Sequence, residues 1–384
     1  MVSFNLRTVY LHIVCAFVVI GTMFYVPISA VSTDTAVEFG YQTQELFFRY
    51  GCFFVFAMST ILEPIRKTDM SKIALFFIAV LITALMNGFD VATRRVVLNT
   101  ACAVIFFKAV SDHFSFVDFK AVSWWMFVIV AINLIMCIQQ YFKIDPLFSI
   151  PQNMGAKDAV AGFMRIKVHL GTLLAVISPI VFYAHPLLAF ASIPMLCFAN
   201  SSAAVFAYVA SIGLVLFFKL KRRVAIALFT SILLAGAFYI YKFDMPGGQF
   251  EKRFMVWNAV YSFALKGNPI YGAGAGSFAK LNVKTIQENG KPEAWLWAHN
   301  EYLQSFYEFG IIGVAFILFY IKDFFKSFIK SWDDSKVQVL GASVLSVLII
   351  SFLHFPFHIS RLAIPCLFVM ALFQARVKDL KSVS

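Results

Sequence analysis

Stretches of about 17 to 25 predominantly apolar residues follow one another along almost the whole chain, each long enough to cross about 30 Å of hydrocarbon. Lipid offers a backbone no hydrogen-bond partners, so segments of this kind must close their hydrogen bonds within themselves, as helices do. Spans are expected at 9–31, 46–64, 71–88, 92–110, 121–142, 169–184, 186–200, 202–219, 223–242, 303–321, 338–354 and 360–376. The expected fold is therefore an all-α polytopic membrane protein of about twelve crossings, with residues 1–384 as one domain. Charged residues make up only 14% of the chain, against about a quarter in soluble proteins.

The net charge of +12 would point to nucleic acid in a soluble chain. Here the basic residues sit in short connections, including Arg66 and Lys67, Lys219 to Arg223, Lys322 to Lys336, and Arg376 to Lys381. They read as orientation signals that place both termini in the cytoplasm, and no nucleic-acid partner is expected. The first apolar run is too long for a signal-peptide core and reads as a retained helix. The six cysteines fall in or beside apolar runs without metal-ligand spacing, which makes them small buried hydrophobes.

The opposite face carries the long connections, above all residues 243–302, expected as a helical periplasmic loop between spans nine and ten. It opens with "GGQFEKRFMVWNAVYSFALKGNP", in which Phe250, Phe254, Trp257, Tyr261 and Leu265 form a helical stripe beside Arg253. That arginine either snorkels at the lipid boundary or offers its guanidinium to a ligand. "GNPIYGAGAGSF" follows, with Gly272, Gly274 and Gly276 at alternate positions, read as a tight turn or as amides open to an anion.

The chain then reads "WAHNEYLQSFYEFG" over residues 297–310, a polar cluster at the entrance to an apolar run. His299 stands at a helix amino terminus, which disfavours imidazolium, with Asn300 as the cap. A neutral imidazole there can serve as a general base, or merely bond the headgroup region. Glu301 and Glu308 share a helix face, and Glu308 lies about two turns inside the apolar run. It is expected to be protonated or paired with a cation such as Arg49 or Arg361.

In order and spacing, Arg253, Trp257, Pro269, Gly272, Gly274, Gly276, Phe278, His299, Asn300, Leu303, Glu308, Gly310 and Gly313 resemble the carboxy-terminal signature of the O-antigen ligase and O-antigen polymerase superfamily. The resemblance implies a metal-independent inverting glycosyltransferase without cofactor, in the bacterial inner membrane, with its active site on the periplasmic side. Its donor would be an undecaprenyl-diphosphate-linked glycan and its acceptor lipid A–core, or else a growing repeat-unit chain or a protein. It makes His299 the catalytic base and Arg253 a diphosphate ligand, with Gly274 and Gly276 as further donors and Trp257, Asn300 and Glu308 in support.

A second family arginine usually precedes the sixth span near a Gly-Phe pair. The segment here is "AKDAVAGFMRIKVHLGTLLA", where Gly162 and Phe163 fit and Arg165 or Lys167 is the substitute cation. Two other classes stay open on the residues alone. A transporter or flippase would show matched broken helices in two halves. A metal-dependent glycosyltransferase would use Asp34, Glu38 and Glu45.

Overall fold

The computed structural model describes residues 6–23, 33–62, 71–86, 88, 90–114, 119–142, 144, 162–164, 166–199, 201–219, 230–231, 234, 249–281, 283–286, 292–295 and 297–383. In chain order the helices are α1 (Leu6–Met23), α2 (Thr33–Leu62), α3 (Ser71–Met86), α4 (Val91–His113), α5 (Phe119–Tyr141), α6 (Lys167–Ala184), α7 (Pro186–Phe190), α8 (Ser192–Ala199), α9 (Ser202–Lys219), α10 (Gln249–Lys266), α11 (Glu301–Lys330), α12 (Ser335–Leu353) and α13 (Ser360–Val383). A short antiparallel hairpin, β1 (Val283–Ile286) and β2 (Pro292–Trp295), pairs Val283 with Trp295. The all-helical expectation holds for the bundle and misses this hairpin, which lies in the 243–302 loop.

Among the described residues six helices are long and apolar enough to cross a membrane: α1, α4, α5, α6, α12 and α13. The expected twelve crossings are not confirmed among the described residues. The expected span 186–200 is two short helices, α7 and α8, and most of 223–242 lies outside the described residues. Leu85 and Ile61 are more than 70% exposed, as apolar side chains facing lipid would be.

The centre of the bundle is α6 against α9 and α12, with α13 against α12 and α4. Pro179 inside α6 cannot donate to the carbonyl of Ala175, and Ser346 of α12 supplies the missing donor at 2.9 Å. At one end, Lys378 bonds Asp112 at 2.7 Å and Arg376 grips Asp334 with two nitrogens at 2.7 and 3.2 Å. The 249–300 segment gathers at the other end.

The most consequential departure from a plain helix lies in α11, where Gly310 has φ 61 and ψ −153. An unbroken helix would run bonds from Ile311 N to Tyr307 O and from Ile312 N to Glu308 O. Both are replaced by the glycine loop, which threads the gap. Ala273 N donates to Tyr307 O at 2.8 Å and Gly274 N to Glu308 O at 2.9 Å, while Ile311 N reaches Pro269 O at 2.9 Å and Ile312 N reaches Ile270 O at 3.4 Å. Two internal bonds are thus exchanged for four external ones, so the break leaves none of these four backbone groups unsatisfied. Gly310 and Gly272 are both at positive φ, and a Cβ on either would sit inside the facing backbone, of Ile270 and of Glu308 respectively.

Candidate functional site

α10 rests on the bundle through Val256, Val260 and Ala264, and its two valines pack with Phe278, Val283, Trp295 and Ala298. The aromatic stripe faces outward: Phe254, Tyr261 and Leu265 are each about half exposed. β-branched valines at i and i+4 fill the narrow space under α10, and the larger rings meet lipid or water. Trp257, at the edge of both faces, donates from its indole to the carbonyl of Ala298 at 2.9 Å.

That bond begins a clamp around His299. The N–H of Ala298 donates to Gln304 Oε1 at 3.1 Å, and Asn300 caps α11 by accepting from Leu303 N at 3.0 Å. Held on both sides, His299 adopts φ 52, a left-handed conformation that costs about 1–3 kcal/mol in a residue with a side chain. Its ring packs edge-on against Trp295 and Phe355, with centroids at 4.9 and 4.5 Å. Burial first, and the charge of Arg253 second, push its pKa down to about 3 from an ordinary 6.5. The imidazole is therefore neutral, and the guanidinium of α10 stands close enough to act on it.

Glu308 is 2% exposed and pairs with neither Arg49 nor Arg361. Its Oε2 accepts from Gly276 N at 2.9 Å and its Oε1 from Gln304 Nε2 at 3.1 Å. Arg49 instead bonds Asn99 and Glu45, and Arg361 donates to the carbonyls of Phe163 and Met164 at 2.9 and 3.3 Å. The N–H groups of Gly274 and Gly276 are thus engaged by the carbonyl and the side-chain oxygen of Glu308 and hold the loop onto α11.

Gln304 is the hub of this network. Its oxygen is fixed by Ala298 N, so its amino group must face both Glu308 Oε1 and His358 Nε2, the latter at 3.0 Å. His358 then accepts at Nε2 and carries its proton on Nδ1, 3.0 Å from Glu301 Oε2. Glu301 also accepts from Phe357 N at 2.9 Å. One chain of bonds thus ties the glycine loop, the residue before His299 and the turn at 354–358 together. A largely apolar cavity of about 340 Å³ adjoins it, with Glu301, Gln304, His358 and Arg95 at its polar end.

Of the sequence-derived residues, Arg253, His299, Trp257, Asn300, Glu308, Gly274 and Gly276 are brought together. Arg165 lies outside the described residues, and Lys167 opens α6. The Gly162–Phe163 turn is instead met by Arg361 from α13, which is 4% exposed. Glu45 pairs with Arg49 and Arg95, and among the described residues no three His, Cys, Asp or Glu side chains are grouped to hold a metal. His169, His354, His358 and Gln304 went unnoticed in the sequence. The "HFPFH" run before the last helix was the available signal.

Residues 187–318 match the family model described as O-antigen ligase. This segment is similar to the O-antigen ligase family. Among curated proteins no sequence matches the chain. The O-antigen ligase match spans α7 to the broken helix α11, and so takes in Arg253, the glycine clasp, His299 and Glu308. His169, His354 and Arg361 lie outside it. By length and composition the six long apolar helices fit a multi-pass membrane protein.

Proposed function

We propose that the chain transfers a glycan from undecaprenyl diphosphate to a hydroxyl of lipid A–core, at the periplasmic face of the bacterial inner membrane. The observation that carries this reading is half-buried His299, held at φ 52 between the Trp257–Ala298 bond and the Asn300 cap with the charge of Arg253 acting on it. The clusters formed by Lys378, Arg376 and their partners at the opposite end of the bundle support an orientation with that end in the cytoplasm.

Before the donor binds, His299 is a weak base, because Arg253 and the dry surroundings oppose its protonation. A bound diphosphate places negative charge against Arg253, offsets its field and raises the basicity of the imidazole. The base is thus strengthened by arrival of the donor. His299 then takes the proton of the acceptor hydroxyl, the oxygen attacks the anomeric carbon from the side opposite the diphosphate, and the configuration inverts. Arg253 holds the charge that builds on the leaving group, an effect worth about 3 kcal/mol for one preorganised donor. Neither a metal nor an organic cofactor is needed for these steps.

Deletion of the gene followed by gel analysis of surface lipopolysaccharide tests the assignment. Loss of ligation leaves lipid-linked polymer unattached to core. Core bearing one repeat would instead identify a polymerase, and unchanged lipopolysaccharide with an unglycosylated protein would identify a protein oligosaccharyltransferase.

A further inference from the structure

Two buried histidines stand behind His299 with no part in the steps above. His354, the cap residue after α12, is 2% exposed, and His169, in the first turn of α6, is 3% exposed. The ring of His354 stacks on His299 with centroids 5.9 Å apart and planes 27° apart, and on His169 at 5.3 Å and 26°. Among the described residues, neither nitrogen of His354, nor Nδ1 of His169 or His299, has a hydrogen-bond partner. Buried imidazole nitrogens without partners cost free energy that an apolar side chain would not.

His358 supplies the contrast. It packs on Trp297, its Nε2 bonds Gln304 at 3.0 Å, and its Nδ1 faces a Glu301 carboxylate oxygen in an ion pair at 3.0 Å. A histidine serving only to brace the fold looks like that one. The column of three is left open at its nitrogens instead. Among the described residues no group of three such side chains is placed to hold a metal. Centroids 5.3 and 5.9 Å apart put neighbouring rings within reach of one bridging water.

We propose that His299, His354 and His169 form a water-bridged relay that carries the acceptor's proton away from the reacting oxygens. The proposal rests on the glycosyl-transfer reading. In the transfer, the acceptor oxygen forms its bond to the anomeric carbon. The bond from that carbon to the phosphate oxygen breaks, with its electron pair leaving on the diphosphate. The acceptor proton passes to His299, through water to His354 and again to His169, and leaves to water at the amino-terminal end of α6.

The surrounding charges favour transit over storage. Arg253 on α10 acts on both His299 and His354, and Arg361 on α13 acts on His169. The Glu301–His358 pair packs on Trp297. Cations on both flanks keep the proton from resting on any one ring, and a base as weak as His299 returns its proton to the acceptor unless the proton moves on.

The test uses purified full-length protein with undecaprenyl-diphosphate-linked glycan and lipid A–core. His354→Gln, which keeps a polar side chain but cannot relay, should lower kcat by about 10- to 100-fold with KM within about twofold. It should also raise the solvent deuterium isotope effect. His354→Ala should regain rate in added imidazole, and His169→Gln should repeat the kcat loss. A His354→Gln enzyme with native kcat overturns the relay. So does a kcat loss with unchanged isotope effect and no imidazole response, which marks a structural role. Two controls in the same assay separate the levels: no transfer by the native protein defeats the transfer reading itself, whereas an inactive His299→Ala beside fully active His354 variants defeats only the relay.

Discussion

Glu308→Gln changes one oxygen to an amino group without changing shape, yet the network predicts a substantial penalty. Glu308 accepts on both oxygens, from Gly276 N and from Gln304 Nε2. A glutamine can keep only one of these bonds. If its oxygen stays on Gly276 N, its amino group meets the amino group of Gln304. Gln304 cannot turn over to relieve the clash, because its own oxygen is held by Ala298 N. One buried bond is lost and two donors face each other, a cost of about 1–3 kcal/mol. The exchange Glu308→Gln with Gln304→Glu restores the pairing. The carboxylate then standing at position 304 accepts from both Ala298 N and the amino group at position 308, and His358, doubly protonated, donates to it from Nε2 while keeping its Nδ1–H toward Glu301. Thermal unfolding in detergent should show a lowered midpoint for either single variant and recovery in the double. The expected coupling is about 0.5–3 kcal/mol. Single variants as stable as the native protein, or a double that simply adds the two losses, would refute the network.

Other consequences follow from the same geometry. Gly310→Ala forces a side chain into the backbone of Ile270 and should prevent the loop from threading α11; normal yield and activity in this variant would contradict the clasp. Arg253→Lys should retain only a small part of the transfer rate, because a point charge cannot replace the guanidinium fork; near-native rates would remove Arg253 from the diphosphate. His299 is depressed to about 3 in the fold against 6.5 when unfolded, so the unfolded chain binds more protons between those values. Stability should therefore fall as pH drops below about 6.5, and His299→Gln should flatten part of that slope in thermal denaturation. Transfer should also persist undiminished in excess chelator, and restoration by added Mn²⁺ or Mg²⁺ would contradict the metal-free mechanism.

Helical periodicity and apolar length located most of the bundle, because lipid leaves the backbone few alternatives. The polar cluster at 297–310 was legible for the same reason, since a histidine and two carboxylates at the edge of an apolar run need partners. The identity of those partners was not legible. Glu308 is expected from the sequence to be protonated or paired with a cation; the broken ladder of α11 brings amides to it rather than Arg49 or Arg361, and a break at Gly310 has no signature in composition. The glycines at 272, 274 and 276 looked like an anion cradle because alternate glycines free a backbone to approach something. Here Gly272 approaches α11 and Gly276 approaches α4. His354 and His169 are far apart in sequence and meet only through the packing of α6 against α12.

Rate measurement on purified His299→Ala, supplied with lipid-diphosphate-linked glycan and acceptor, bears most directly on the site. The geometry predicts a loss of at least about 10²-fold with the protein still folded and donor binding retained. A variant that transfers glycan within twofold of the native rate would contradict the assignment of the base.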